Sequence, residues 1–494
     1  MQKKALIVGT GLGALTTALR LAVNGYQVEM VEKYKQAGGR LNQLEKDGFT
    51  FDMAPSFFSM SYEFTEFVNY CGIEMPFKFI ELNPLYSVNF AGNNKNYLIY
   101  KDLAKLANEF KDIEPNFEAK MARFLEKAGT LFHDTEDKVI RRNFRSLPHF
   151  LATLTTVPIK HAPMMLRSMW SELNRHFSSY EVKVIFSLVA FFLGATPFDT
   201  PAIYSLLTYT ELVHDGYHNV EGGMYQIVVG LLKELEKFNI HITYHTEIVG
   251  FEEEKGELSA LVDQHGKRWE ADLFVINSDA AFFRGKVFGR KEFSTQKLDK
   301  QKWTLAPFTM YVGVKGKIEN MAHHNYYLRN NFEEYAGKVF KNSISLNKPY
   351  YYVNASSKSN PNTAPEGHEN LFILCPVPDL RYKPDWSDRD QLANDILNDL
   401  SLRVDFDIQK HMVTKTILDP TDWQNMFNLY QGSGLGLAHD LNQIGAFRPR
   451  NTDEKFNNVF YVGSSTVPGT GLPMAVISSK LVTEQIVERY GTVR

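Results

Sequence analysis

The chain has 494 residues, long enough for two substantial cores, and its 44% hydrophobic and 22% charged residues read as globular rather than disordered. A formal net charge of −3 and a pI near 6.6 give no electrostatic reason to expect a nucleic-acid partner. Its 2 cysteines, Cys71 and Cys375, lie among apolar residues, which excludes a disulfide framework and a cysteine-built metal site and points to buried thiols in a reduced cytosolic protein.

The first residues superficially suggest a signal peptide, but glycines interrupt the apolar run and no small-residue cleavage site follows. Lys4–Val8 (KALIV) instead predicts a buried parallel strand. It runs into Gly9-Thr10-Gly11-Leu12-Gly13-Ala14, then a helical pattern over Leu15–Val23, then a second strand, Gln27–Val31, ending at Glu32. Strand, glycine turn, helix, strand and acid in this order form the Rossmann dinucleotide fingerprint. Gly9, Gly11 and Gly13 let backbone N–H groups, that of Leu12 included, approach a pyrophosphate at the helix N-terminus. Ala14 stands where the third glycine would be and still allows close helix–strand packing. Glu32 is placed to accept from the adenosine ribose hydroxyls, which disfavours a 2′-phosphate and hence NADP.

Beyond Glu32 come Gly38-Gly39-Arg40, Gly48 to Asp52 and Ala54-Pro55-Ser56. A glycine pair followed by arginine resembles the extension in FAD oxidases of the glutathione-reductase fold. That resemblance implies FAD, with Gly39 and Arg40 at its pyrophosphate and Pro55 and Ser56 beside it.

Between Lys138 and Phe177 there are seven Lys/Arg residues and a single acid, Glu172, interleaved with Phe144, Leu147, Phe150, Leu151, Leu154 and other large apolar residues. A basic, greasy, proline-punctuated segment suits docking on an anionic membrane surface. The longest apolar run, Val184 to Ala195, is too short to span a bilayer. Ile240–Tyr244 and Ala271–Asp279 read as strands returning to the nucleotide domain, bringing Ile248 and Asn277 to the cofactor. Gly432–Gly436 superficially suggests a second dinucleotide loop, but no buried strand precedes it and no small-residue helix follows, so a loop is expected. Asn458–Val462 predicts a further strand, followed by Gly463, a glycine-rich turn through Gly471-Leu472-Pro473-Met474, and a helix over Ala475–Tyr490. Such an edge can face the pyrimidine carbonyls of a flavin, with Gly463, Gly471, Leu472 and Met474 in contact.

The expected fold is α/β: a glutathione-reductase-like FAD-binding Rossmann domain from residues 1–75, 215–300 and 425–494, and a mixed α+β substrate domain from 76–214 and 301–424. No metal site is expected; His323-His324 reads as a packing or loop pair, and Glu221 as structural.

Taken jointly, the N-terminal motif, Phe191–Leu207, Tyr217–Tyr225, Asn354–Pro376 and Gly463–Lys480 resemble the bacterial phytoene-desaturase-type carotenoid desaturases, and most nearly their 1-hydroxycarotenoid 3,4-desaturase branch. Met474 departs from the glycine that many phytoene desaturases carry. The resemblance implies non-covalent FAD, hydride transfer from an acyclic carotenoid, and peripheral association with the cytoplasmic membrane. It carries over no catalytic acid or base, because the region around His149 diverges. Little is needed: hydride loss beside a polyene leaves a delocalised cation whose neighbouring proton is acidic, so the protein chiefly positions the chain and excludes water. Without a second dinucleotide unit, oxygen or a quinone is the expected electron acceptor. Phytoene desaturation, a flavin amine oxidase and a non-catalytic prenyl-binding protein are the alternatives.

Overall fold

The structure, a computed structural model, describes residues 2–93, 95–144, 147–340 and 349–492, without the side chains of Leu147 and Phe192. Five strands form a parallel sheet in the order Val459–Tyr461, Leu273–Ile276, Lys4–Val8, Gln27–Val31 and His241–Thr243. Alternate residues serve opposite faces. Ala5, Ile7 and Val275 pack under the helices Leu12–Val23, Gln226–Lys237 and Leu472–Tyr490. Leu6, Val8 and Ile276 meet a three-stranded antiparallel sheet, Ile248–Glu254, Glu257–Asp263 and Arg268–Glu270. Burial on both faces is why these strands read as continuous apolar runs.

The last helix begins at Leu472, ahead of the Ala475 that the sequence pattern indicates. Pro473 looks like an interruption, but proline fits the first helical turn, where its missing N–H would have no intrahelical partner. Gly432–Gly436 is a loop, following a single 3₁₀ turn, Tyr430–Gly432.

A second sheet has seven strands in the order Met412–Leu418, Ala306–Lys315, His368–Val377, Tyr351–Asn354, His324–Leu328, Tyr86–Phe90 and Asn96–Ile99. All its pairings are antiparallel except that between His324–Leu328 and Tyr86–Phe90. One face packs Phe308, Met310, Tyr351 and Ile373 against the helix Arg389–Val404. The other turns Tyr326, Leu328, Tyr350 and Tyr352 toward helices Phe117–Thr135, Met169–His176 and Tyr180–Ser187. Cys71 and Cys375 are buried, and burial pushes both thiols up to about 12, so both are un-ionised at neutral pH. Among the described residues no helix is long and apolar enough to cross a membrane.

Candidate functional site

A cavity of about 1290 Å³ connects the carboxyl ends of the parallel strands to the inner face of the seven-stranded sheet. Single-ligand pockets are usually about 300–1,000 Å³, so this one has room for a cofactor and a substrate.

Its nucleotide end follows from the first turn of the chain. Gly9 takes φ 92°, a conformation glycine adopts without steric cost, and turns the strand into the helix Leu12–Val23. The helix N-cap, Gly11, offers no side-chain acceptor, so the Leu12 and Gly13 N–H groups stay available to an anion in the cavity, while that of Ala14 turns back to Gly11 O. A Cβ on Gly11 would stand 2.5 Å from Asn277 Oδ1, a measure of how closely the segments approach. Asn277 ties two strand ends together: its N–H donates to Val8 O at 2.8 Å and its Nδ2 to Val462 O at 2.9 Å. Glu32 accepts from the Thr10 and Tyr34 N–H groups, each at 3.0 Å, which fixes its carboxylate at the cavity edge.

Arg40 reaches across to the C-terminal half, donating to Gly434 O at 2.8 Å and to Ser464 Oγ. Asp279 sits behind it and accepts from Ser465 Oγ at 2.7 Å. Burial pushes the Arg40 guanidinium down and the Asp279 carboxyl up, and their mutual attraction opposes both shifts. At the opposite wall Gly471 caps Leu472–Tyr490, again without a side-chain acceptor, so a positive helix end faces the cavity beside Leu472 and Met474. Gly13, Gly39, Pro55, Ser56, Ile248 and Gly463 line the same space. Ala14 does not: it packs in the helix–sheet core, the close-packing role its small side chain suits. Two open helix ends, a buffered arginine and an acid at the cavity edge fit a flavin dinucleotide.

Two residues of this site carry no sequence signal. Arg448, fully buried, donates through Nε to Thr466 O at 3.0 Å and through a terminal nitrogen to Ser464 O at 2.7 Å, bracing the Gly463–Thr466 loop from behind. Burial lowers its pKa to about 10, leaving it cationic at neutral pH. His439 accepts the Thr470 N–H through Nε2 at 3.3 Å, and burial holds it near 3, as neutral imidazole.

The other arm of the cavity is an aromatic tunnel. Tyr326, Leu328, Tyr350, Tyr352, Phe372 and Leu374 form its floor, and Leu188, Phe191, Leu206 and Leu207 cover it. No side chain lining this arm, among the described residues, carries a formal charge. Val139, Ile140, Phe144, Phe150, Leu154 and Val157, within the segment singled out in the sequence for membrane contact, also line the cavity. Arg145 and the Leu147 side chain of that segment lie outside the described residues.

His323 and His324 are packing residues. His324 stacks on Phe57 with ring centroids 4.0 Å apart and shares a hydrogen bond of 2.6 Å with the Tyr352 hydroxyl; His323 is held by Asn354 and Ser359. Burial keeps both neutral. Glu221 points to solvent and pairs with Lys78 at 3.3 Å, outside the cavity.

Behind the tunnel wall Glu211 is 1% exposed. The phenols of Tyr86 and Tyr217 lie near enough to interact with its carboxyl, yet neither carboxyl oxygen has a partner at full hydrogen-bond geometry. Burial pushes its pKa up to about 8, so the acid is mostly neutral at pH 7. The folded state therefore holds this proton more tightly than the unfolded chain, where glutamate titrates near ~4.3. The stabilisation is complete below that value and is lost as pH rises through the folded pKa. The thermal midpoint is expected to fall as pH rises from about 4.3 to about 8 and to level off above that. Glu211→Gln should flatten that slope in a scanning fluorimetry series.

The chain matches the family model described as flavin containing amine oxidoreductase over residues 15–487. It is 30% identical to a zeta-carotene-forming phytoene desaturase of Myxococcus xanthus over 98% of this chain and 94% of that protein. It is 28% identical to a carotenoid 3,4-desaturase of Haloarcula japonica over 98% of this chain and 97% of that one. Among solved structures, putrescine oxidase bound to putrescine aligns with a TM-score of 0.65 at 12% identity, covering 99% of this chain and 100% of the other, which speaks to fold alone.

Proposed function

Since the chain belongs to the flavin containing amine oxidoreductase family, and within it to the carotenoid desaturases, we propose that its substrate is an acyclic 1-hydroxylated carotenoid, desaturated at the 3,4 bond. The enzyme is a FAD-dependent oxidoreductase acting on CH–CH groups in carotenoid biosynthesis. FAD supplies the hydride acceptor. The chain's own residues hold the dinucleotide, extend the substrate along the aromatic floor and keep bulk water from the reacting carbons.

The observation that carries the reading is the single cavity running from the dinucleotide grip into a charge-free aromatic tunnel. An amine oxidase would need an anionic handle for a cation in that arm, and the described lining there supplies no formal charge. The narrower substrate choice draws support from the resemblance, from Met474 at the flavin-side wall and from the 28% identical 3,4-desaturase. Oxygen or a membrane quinone is the proposed electron acceptor. Co-expression with enzymes making either lycopene or 1-hydroxylated carotenoids tests the proposal by pigment chromatography. A product of extended conjugation is expected from the hydroxylated precursors; a product from colourless phytoene would overturn it.

A carotenoid is insoluble in water, and we take the tunnel mouth to rest on the cytoplasmic membrane surface. Ile159 and Leu166 are 89% and 87% exposed there, and Leu151 is exposed beside them. The segment's charge is less available than its sequence implies. Arg141 pairs with Glu63 and Glu136, Lys160 with Asp134, and Arg167 with Glu172. Apolar contact should therefore dominate, since each large aliphatic side chain contributes about 1.5–3 kcal/mol when fully buried. Replacing Ile159 and Leu166 with serine is expected to weaken sedimentation with anionic vesicles at least ~10-fold. Replacing Lys160 and Arg167 with glutamine should weaken it less.

A further inference from the structure

Desaturation releases a proton as well as a hydride, and an apolar tunnel that excludes water gives that proton nowhere to go unless a side chain takes it. One corner of the cavity holds such a group. His161 lines the cavity and is 5% exposed. Its Nε2 lies 2.8 Å from Asp134 Oδ2, and the same carboxylate pairs with Lys160 at 3.1 Å. Hydrogen bonds from His161 and Lys160 hold the Asp134 carboxyl below the usual carboxylate range, so at neutral pH it only accepts. The Nε2 facing it therefore carries the hydrogen, which leaves the lone pair of the neutral ring on Nδ1. Nδ1 keeps accessible surface and makes no hydrogen bond to a described residue. The elements around this corner add no further charge to it. The turn Ala202–Ser205 and the helix Leu206–Tyr209 hold no acid or base, and Arg141 takes Glu136 and Asp137.

The other imidazole and the carboxylates on the cavity wall are engaged elsewhere. His439 gives its Nε2 to the Thr470 N–H, and Glu32, Glu247 and Asp279 belong to the nucleotide end. The helix Phe117–Thr135 runs on into the turn Glu136–Ile140, so Ile140 stands roughly 9 Å along the chain axis from Asp134. Ile140 and Met474 pack against the same residues, Val467, Ile477 and Leu481, which ties this corner to the flavin-side wall. We propose that His161 is the general base of the desaturation, with Asp134 as the residue that positions it. One C–H of the bond to be desaturated leaves as hydride, with both electrons, for FAD. The neighbouring C–H gives its proton to the His161 Nδ1 lone pair, and its electron pair becomes the second bond between the two carbons. The imidazolium so formed is paired with Asp134, which is 27% exposed, and returns the proton to solvent before the next turnover. The inference rests on the desaturase reading of the site and is independent of the hydroxyl at carbon 1.

The test is the rate of flavin reduction in a single anaerobic turnover of the flavin-loaded enzyme. The substrate is a 1-hydroxylated acyclic carotenoid or lycopene in vesicles, whichever reduces the wild type faster. The wild-type rate should rise with pH along one titration between about pH 5 and about pH 8, because only the neutral imidazole has the lone pair. His161→Gln keeps a donor for Asp134 but cannot take up a proton. It should react at least ~100-fold more slowly, with that pH dependence gone. Asp134→Asn still accepts a hydrogen bond but has no charge to stabilise the imidazolium, so its rate should lie between the two. Flavin content and the thermal midpoint report whether each variant is folded. A wild-type rate that is flat across this range would overturn the base without any variant. So would a flavin-loaded His161→Gln enzyme that keeps the wild-type rate, or one that loses rate with the pH profile intact. A wild-type flavin that neither carotenoid reduces would overturn the carotenoid substrate and the base together.

Discussion

Gly11→Val is expected to yield a folded protein that purifies without flavin. The backbone is no obstacle, because Gly11 has φ −64° and ψ 166°, which any residue adopts. Space is the obstacle: a Cβ at this position would meet Asn277 Oδ1 at 2.5 Å, and valine adds two methyl groups beyond that atom. Asn277 has little room to yield, since its amide nitrogen is held by Val462 O at 2.9 Å. The side chain must then enter the cavity over the first-turn N–H groups, where the pyrophosphate belongs. A loss of about 100-fold in affinity, ~2.7 kcal/mol, is a conservative expectation. Absorbance near the flavin band relative to protein absorbance measures it directly. Added FAD should raise the thermal midpoint of flavin-depleted wild type and leave that of the variant in place. Gly337→Ala is the control: nothing lies within 4 Å of its Cβ position, and alanine within a helix should stabilise by about 0.5–1 kcal/mol. Full flavin in that protein and none in Gly11→Val would tie the loss to the approach of Asn277.

The sequence reveals this end of the site because its chemistry is local. One strand, one turn and one helix start position Gly9, Gly11 and Gly13, and the next strand delivers Glu32, so the spacing along the chain is the spacing in space. The C-terminal cap is legible for the same reason, apart from the helix start that Pro473 disguises. The tunnel is different. Its floor comes from strands buried on both faces, where Tyr326 and Tyr327 point to opposite cores and both are aromatic. No alternation of polar and apolar residues marks such strands. Glu211 sits in a π-helical turn that ends a run of short 3₁₀ and α segments from Ala202, and Arg448 follows a single 3₁₀ turn, so no regular 3.6-residue period marks either. Only the folded chain shows that one is sealed behind the tunnel wall and the other beneath the cofactor loop. The charge of Lys138–Phe177 misleads in the same way, because its partners Glu63 and Asp134 lie outside the segment.

Arg448→Met should cost more than a surface arginine ever does. The buried guanidinium donates to Ser464 O and Thr466 O at 2.7 and 3.0 Å, with longer contacts of 3.4 Å to Gln443 O and Leu437 O. Two effects compete on replacement. Methionine removes the desolvation cost of a buried charge, which favours the variant. The carbonyls stay behind, however, and each buried acceptor left without a donor costs about 1–3 kcal/mol. With two short bonds lost, roughly 2–6 kcal/mol of unpaired backbone opposes the gain, and a net destabilisation is expected. It should fall on the loop that begins at Gly463 and shapes the flavin-side wall, so flavin should be lost on heating before the protein as a whole unfolds. Arg448→Lys should restore only part of the effect, because an ammonium at one point does not span both carbonyls as the planar fork does. Parallel melts followed by flavin release and by circular dichroism would separate the two events. Coincident transitions at the wild-type temperature would mean that the loop needs no brace.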